Sequence, residues 1–296
     1  MTAIIKLQNP NPNHVFFFHP CSSSALCQTT KTMESISPSN PGALIAWSAA
    51  IIFLVANAKS LPLAYTVRLL PSLYRLLRPR LLPPSPLTPP RAPNPLSTPT
   101  PHRYSASPAL FTPHTTTTRT VLLDIDVNLH KSNSTFFTDA DISRAALLTT
   151  LLSPALAATA CVPLLAAVQC TFKRSIAPLQ AYDVSSRILA WDDRSLFVGT
   201  WFLKTGVKLS SAAAAAAAVL GGDVGVGKGV YAVMVSRYVC KAGRETVVPR
   251  EVLLAAGLLV SVPDRVGEGG EVGLVAADKV EEAVKDGLRY VEGCML

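Results

Sequence analysis

A chain of 296 residues with a formal net charge of +8 has room for one large domain or two small ones, but its charge and its proline sit in one part. Residues 1–117 carry nine Lys/Arg against the single acid Glu34, and 19 of the 24 prolines; residues 118–296 carry 18 basic and 18 acidic groups. The balanced C-terminal part gives no support to a nucleic-acid-binding face. The six cysteines (Cys21, Cys27, Cys161, Cys170, Cys240, Cys294) form no CxxC pair and have no histidine at ligand spacing. That pattern argues against a zinc module and fits buried thiols in a reducing compartment.

In chain order, residues 1–42 are rich in Asn, Pro, Ser and Thr and read as a disordered or processed segment, with Met33 as a second candidate start. Ala43–Ala58 is uncharged and apolar but 16 residues long, short of the roughly 20 that span a bilayer. Continuing to Val67 reaches that length and includes Lys59 and Pro62. Residues 43–67 are therefore expected to form a single-pass membrane anchor. Arg68, Arg75, Arg78 and Arg80 follow it, which by the positive-inside tendency places the C-terminal side in the cytosol, at the endoplasmic reticulum or another intracellular membrane. Residues 68–117 read as a basic, then proline-rich linker: 12 prolines between 79 and 113 predict a semi-rigid tether without a packed core.

Residues 118–296 have the texture of a folded domain. Strand-like runs are predicted at Thr120–Asp126, Val168–Arg174, Tyr182–Trp191, Ser195–Lys204 and Val230–Lys241, with a tight turn at Trp191–Arg194. Phe136, Ala140, Ser143, Leu147 and Leu151 form one stripe of a central helix bounded by Pro154. Val248–Leu258 and Ala276–Val291 read as shorter surface helices. The order is that of an α+β domain. Residues 205–229, with seven consecutive alanines and a glycine-rich tail, read as a low-complexity loop insertion.

The chemistry concentrates in residues 124–144. A short apolar strand delivers Asp126 into a polar loop holding Asn128, His130 and Asn133, and a helix follows at once. A carboxylate facing a helix N-terminus suits attack on a carbonyl: the carboxylate acts as base or nucleophile, and free backbone N–H groups stabilise the oxyanion. The alternative is that Asp124 and Asp126, on one face if the strand runs through, are solvated strand-end carboxylates. Other patterns carry less. Gly222–Lys228 mimics a phosphate loop, but Gly229 stands where Ser or Thr would hold magnesium. Asn133–Thr135 fits a glycosylation sequon. No G-x-S-x-G or HExxH occurs, and His130 is the only histidine after residue 117.

Asp126, His130, Asn133 and Phe136 stand at the spacing of the hot-dog thioesterases, which the segment resembles. FFTDADISRAALL, CTFKRSIAPLQAYDVSSRILAWDDRSLFVGTWFLK, VVPREVLLAAG and Lys59-Ser60-Leu61-Pro62 extend the likeness to the branch of thioesterase superfamily member six and its fungal relatives. The resemblance implies a hot-dog fold, a long central helix wrapped by an antiparallel sheet, working as a homodimer or higher homo-oligomer with sites at the subunit interface. It implies hydrolysis of an acyl-CoA or acyl-carrier thioester without metal or cofactor, coenzyme A being part of the substrate. Asp126 would be base or nucleophile, the backbone N–H near Asn133 would polarise the carbonyl, and His130 and the Asn133 side chain would orient loop or substrate. Asp139 and Asp141 favour the helix dipole, a second catalytic carboxylate there being the lesser alternative. Two departures stand out: Phe136 replaces the usual tyrosine, and Leu129 stands where many members carry glycine. The rival functions are a non-catalytic acyl-CoA-binding or scaffolding protein and an enoyl-CoA hydratase.

Overall fold

The computed structural model describes residues 41–81, 104–159, 161–207, 229–261 and 277–295. The N-terminal segment before residue 41, the middle of the expected tether, the alanine tract and Gly222–Lys228 lie outside the described residues. The chain divides into two compact units, residues 1–53 and 54–296.

Helix α1, Pro41–Ala56, carries no charge and buries no residue. No helix among the described residues is long and apolar enough to cross a membrane. The run 43–67 is not one span, because the chain leaves the helix after Ala56 and makes a 3-10 turn at Ala58–Ser60. Asn57 explains the break: it is fully buried, and its Oδ1 accepts the Leu123 N–H at 3.0 Å. Helix α2, Ala64–Leu81, lies along the central helix α3, Asn133–Thr159. Tyr65 donates to Asp141, Arg68 to Asp139 and Arg75 to Thr150.

All strand pairs are antiparallel. The main sheet has the order β2 (His114–Arg119), β4 (Ala181–Trp191), β5 (Leu196–Lys204), β6 (Val230–Ala242), β3 (Val162–Phe172), with β7 (Glu245–Val247) also on β6. A second small sheet pairs β1 (Tyr104–Ala106) with β8 (Leu259–Ser261). The proline-rich stretch is thus not a tether to its end. From Tyr104 it joins the domain, and Ala106 and Leu110 are fully buried. His114, expected in the linker, opens β2.

The expected α+β architecture, one long helix on an antiparallel sheet, is present, with three shifts. The strand expected at Thr120–Asp126 lies earlier, at β2, and Leu122–Asp124 is a 3-10 turn. Strand β3 begins six residues before Val168. Helix α3 starts at Asn133, as expected, but runs through Pro154 instead of ending there, because Leu152, Ala155 and Leu156 continue its buried face. Burying each leucine is worth roughly 1.5–3 kcal/mol, which offsets a proline cost of about 3 kcal/mol.

The sheet is covered on both sides. Leu147, Leu148, Leu152 and Leu156 of α3 pack with Ile188, Leu196, Val198 and Tyr238, while Phe136 and Ala140 meet Tyr182, Val184, Phe202 and Met234. The C-terminal helix α5, Ala277–Met295, sets Tyr290 and Val291 on Leu189, Phe197, Trp201 and Val233. This is why residues 182–190 are buried throughout, despite their alternating pattern. The two expected surface helices are correspondingly anchored: α5 by Val280, Tyr290 and Val291, and α4 (Pro249–Ala255) by Pro249, Val252 and Leu253. At α5, Gly287 sits where an added Cβ would lie 2.5 Å from the Leu189 carbonyl oxygen.

Candidate active site

The loop 126–130 is closed at its base by the backbone. Ile125 and Lys131 form an antiparallel bridge. The Asp126 N–H donates to the His130 carbonyl at 3.0 Å, and the Ser132 N–H to the Asp124 carbonyl at 2.8 Å. Within the loop the Asn128 N–H donates to Asp126 Oδ1 at 2.9 Å, the local turn that a short acidic side chain favours. Leu129 has φ of 58°, in the left-handed region that suits glycine. The residue is 76% exposed, so little packing offsets that cost.

This geometry places the three expected residues as follows. Asp126 lies on the rim with its side chain 24% exposed, and His130 Nδ1 is 3.5 Å from its Oδ1. The same nitrogen is 3.2 Å from the Lys131 carbonyl. A carbonyl only accepts, so in the Nδ1–H tautomer the ring donates to the Lys131 carbonyl, and Asp126 Oδ1 stands beside that contact rather than receiving it. Asn133 is the exposed first residue of α3. The first N–H groups of a helix have no carbonyl one turn back to receive them; here the Thr135 N–H turns to the Ser132 carbonyl at 3.1 Å, and the positive end of the helix dipole lies at Asn133. His130 and Asn133 both line an open cleft of about 290 Å³ with Phe136, Phe172, Lys173 and Arg174. Asp126 is not among its lining residues and reaches it through His130. Phe136 is 2% exposed and packs edge-on against Phe172 and Phe202, with centroids at 5.3 and 4.8 Å.

Asp124 and Asp126 do not share a face. The 3-10 turn sends Asp124 inward, to a side-chain exposure of 3%, into a cluster of charges. Lys59 Nζ is 2.9 Å from Asp124 Oδ2 and 3.0 Å from Asp139 Oδ2, and it donates to Tyr182 Oη and the Arg119 carbonyl at 3.0 Å each. Lys131, fully buried, is 3.0 Å from Asp139 Oδ2 and 3.5 Å from Asp124 Oδ2 and donates to Thr135 Oγ1 at 2.9 Å. Tyr182 Oη donates to Asp139 Oδ2 at 2.5 Å, Arg68 reaches Asp139 Oδ1 at 3.1 Å, and Ser60 donates to Asp124. Burial works against the Asp139 charge, but Lys131 and Lys59 outweigh it and hold its pKa at about 2. Burial lowers the Lys131 pKa despite the pull of Asp139. Burial and Asp139 both push the Tyr182 phenol up. Asp139, read from the sequence as a helix-dipole or second catalytic carboxylate, is thus a buried ionic anchor. Asp141 is bound to Tyr65.

Sequence reasoning missed Lys131, and saw Lys59 only as a charge within the expected anchor and as part of a stretch shared with a family. The available signals were a lysine interrupting an apolar run, and an aspartate on the α3 stripe of Phe136, Ala140 and Ser143.

Residues 121–255 match the model of the thioesterase-like superfamily. A probable thioesterase of Emericella nidulans, atnL, is 34% identical over 266 residues, which are 81% of this chain and 82% of that protein. The thioesterase lcsJ of Purpureocillium lilacinum is 30% identical over 277 residues, covering 78% of this chain and 80% of its own length. The thioesterase poxG of Penicillium oxalicum is 34% identical over 202 residues, 60% of this chain and 64% of its own length. The family match begins at Val121, so Asn57, Lys59, Ser60 and Arg68 lie outside it.

Proposed function

The chain belongs to the thioesterase-like superfamily of hot-dog proteins, and from that membership we propose that it hydrolyses acyl thioesters of coenzyme A or an acyl carrier at the Asp126 loop. Asp126 activates water, or attacks the carbonyl itself. The thioester C–S bond breaks, a carboxylate and a thiol leave, and the first N–H groups of α3 at Asn133 stabilise the oxyanion. His130 orients Asp126, and the Asn133 side chain positions the acyl group. The reaction needs water and no bound cofactor. The observation that carries this reading is the 3.5 Å approach of His130 to Asp126 beside a cleft that opens on the start of α3.

The working unit of this proposal is a homodimer. Among the described residues β3 pairs only with β6, and it exposes Leu164, Leu165 and Phe172. An open apolar edge of this kind invites a second copy, and Phe172 also lines the cleft. We also assign the N-terminal part to the cytosolic face of an intracellular membrane. The support is the uncharged α1, whose large apolar side chains are exposed, followed by the arginines of α2. At about 1.5 Å per residue, α1 reaches some 24 Å, less than the roughly 30 Å hydrocarbon core, so it acts as an embedded tether.

Thiol release from acyl-CoAs of graded length and from an acyl carrier, measured on the full chain, tests the activity. Turnover supports the proposal. Tight acyl-CoA binding without thiol release would favour the scaffolding reading.

A further inference from the structure

We infer that Lys59 is a positioning residue for the Asp126 loop, so that the segment after α1 is part of the site's machinery although it lies outside the family match. The inference rests on the thioesterase reading for its kinetic arm only.

The geometry is specific. The loop has two stems, and both put a side chain into one buried cluster: Asp124 from the incoming stem and Lys131 from the outgoing one. Asp124 also receives the Ser132 N–H on its carbonyl, which fixes the residue before α3 begins. Lys131 approaches Asp124 only to 3.5 Å. The nearer contacts on the Asp124 side chain are Lys59 at 2.9 Å and the Ser60 hydroxyl. Lys59 simultaneously reaches Asp139 on α3, Tyr182 on β4 and the Arg119 carbonyl at the end of β2. One ammonium thus ties the incoming stem to the helix and to two strands. Without it Asp124 is a buried carboxylate whose remaining cation is farther away and shared with Asp139, and a buried charge in that state pulls toward solvent. The turn Leu122–Asp124 then loosens, and Asp126, two residues on, moves relative to Asn133.

The test uses the full chain, with Lys59→Met, Lys59→Arg and Ser60→Ala compared with wild type. Native-state hydrogen exchange reads the Asp126, Leu129 and Ser132 amides, whose donors close the loop. Selective loss of protection there, with the sheet amides of β5 unchanged, is expected for Lys59→Met, and a smaller loss for Ser60→Ala. In turnover assays Lys59→Met lowers kcat by about tenfold to a hundredfold, the range produced by a displacement of about 1 Å, with KM little changed, and Lys59→Arg restores part of it. A Lys59→Met chain that fails to fold leaves the decision to Ser60→Ala. Uniform loss of protection across loop and sheet, or none in the loop, overturns the inference. A wild type without thioester turnover refutes the proposed function and leaves the exchange result to decide this one.

Discussion

Lys59 Nζ and Asp124 Oδ2 lie 2.9 Å apart, drawn together from opposite sides of the proline-rich run. This pair joins the segment after α1 to the stem of the loop that carries Asp126. The same ammonium meets Asp139, so the chain's buried ionic centre holds both stems of its candidate active loop, Asp124 and Lys131. The first consequence concerns acid stability. In the fold the Asp139 pKa falls from 3.8 to about 2, below its unfolded value. As pH falls, the unfolded chain takes up this proton first. The stabilisation, about 2 kcal/mol by linkage, is fully present above pH 4 and is lost as pH falls toward 2. Urea unfolding of wild type and Asp139→Asn should differ most above pH 4 and converge toward pH 2. A difference independent of pH contradicts the assignment.

Asn57 offers a separate check on the same junction, free of charge effects. Its Oδ1 accepts the Leu123 N–H and the residue is fully buried. Asn57→Ala leaves that donor without its partner and lowers stability by about 1–3 kcal/mol, read as a lower urea midpoint at unchanged slope.

Leu129 adopts φ of 58° with an exposed side chain. A non-glycine residue there costs roughly 1–2 kcal/mol, while glycine adds unfolded-state entropy of about 0.5–1 kcal/mol. Leu129→Gly is expected to raise stability by up to about 1 kcal/mol in denaturant titration. A fall in stability would show that the leucine side chain supports the loop.

Gly287 lets α5 approach β4. A Cβ there would meet the Leu189 carbonyl oxygen at 2.5 Å, so helix and strand must separate. Gly287→Ala is expected to cost roughly 1–3 kcal/mol and to speed hydrogen exchange in α5 ahead of α3.

What could be read before the fold was known followed the range of the interactions. The hairpin between β4 and β5 was legible because its signal is local: Asp192 Oδ1 accepts the N–H groups of Arg194 and Ser195. The start of α3 beside Asn133 was legible for the same reason. The end of α3 was not, because the tertiary packing of Leu152 and Leu156 overrides Pro154. Nor was the fate of residues 104–113, where proline suggested a tether, yet β1 finds β8 and Leu110 finds the core. Asp124 misled most directly. Strand periodicity put it beside Asp126, whereas its partners Lys59 and Lys131 turn it inward, and a pairing so distant in sequence leaves no local trace. Of the site, Asp126 and His130 lie 3.5 Å apart on one short loop, while the ionic support beneath them adds Lys59, Ser60, Arg68 and Tyr182 from outside residues 124–144.

Asp126 is the residue proposed to carry thioester hydrolysis, and an isosteric change isolates its charge. Asp126→Asn keeps the oxygen that receives the Asn128 N–H and removes the charge at a half-buried rim position, so folding should be unaffected. Thiol release by the full chain, wild type against Asp126→Asn at matched thermal stability, is the direct measurement. Asp126→Asn is expected to lower kcat by about a hundredfold or more. Turnover by Asp126→Asn at the wild-type rate contradicts the role proposed for Asp126.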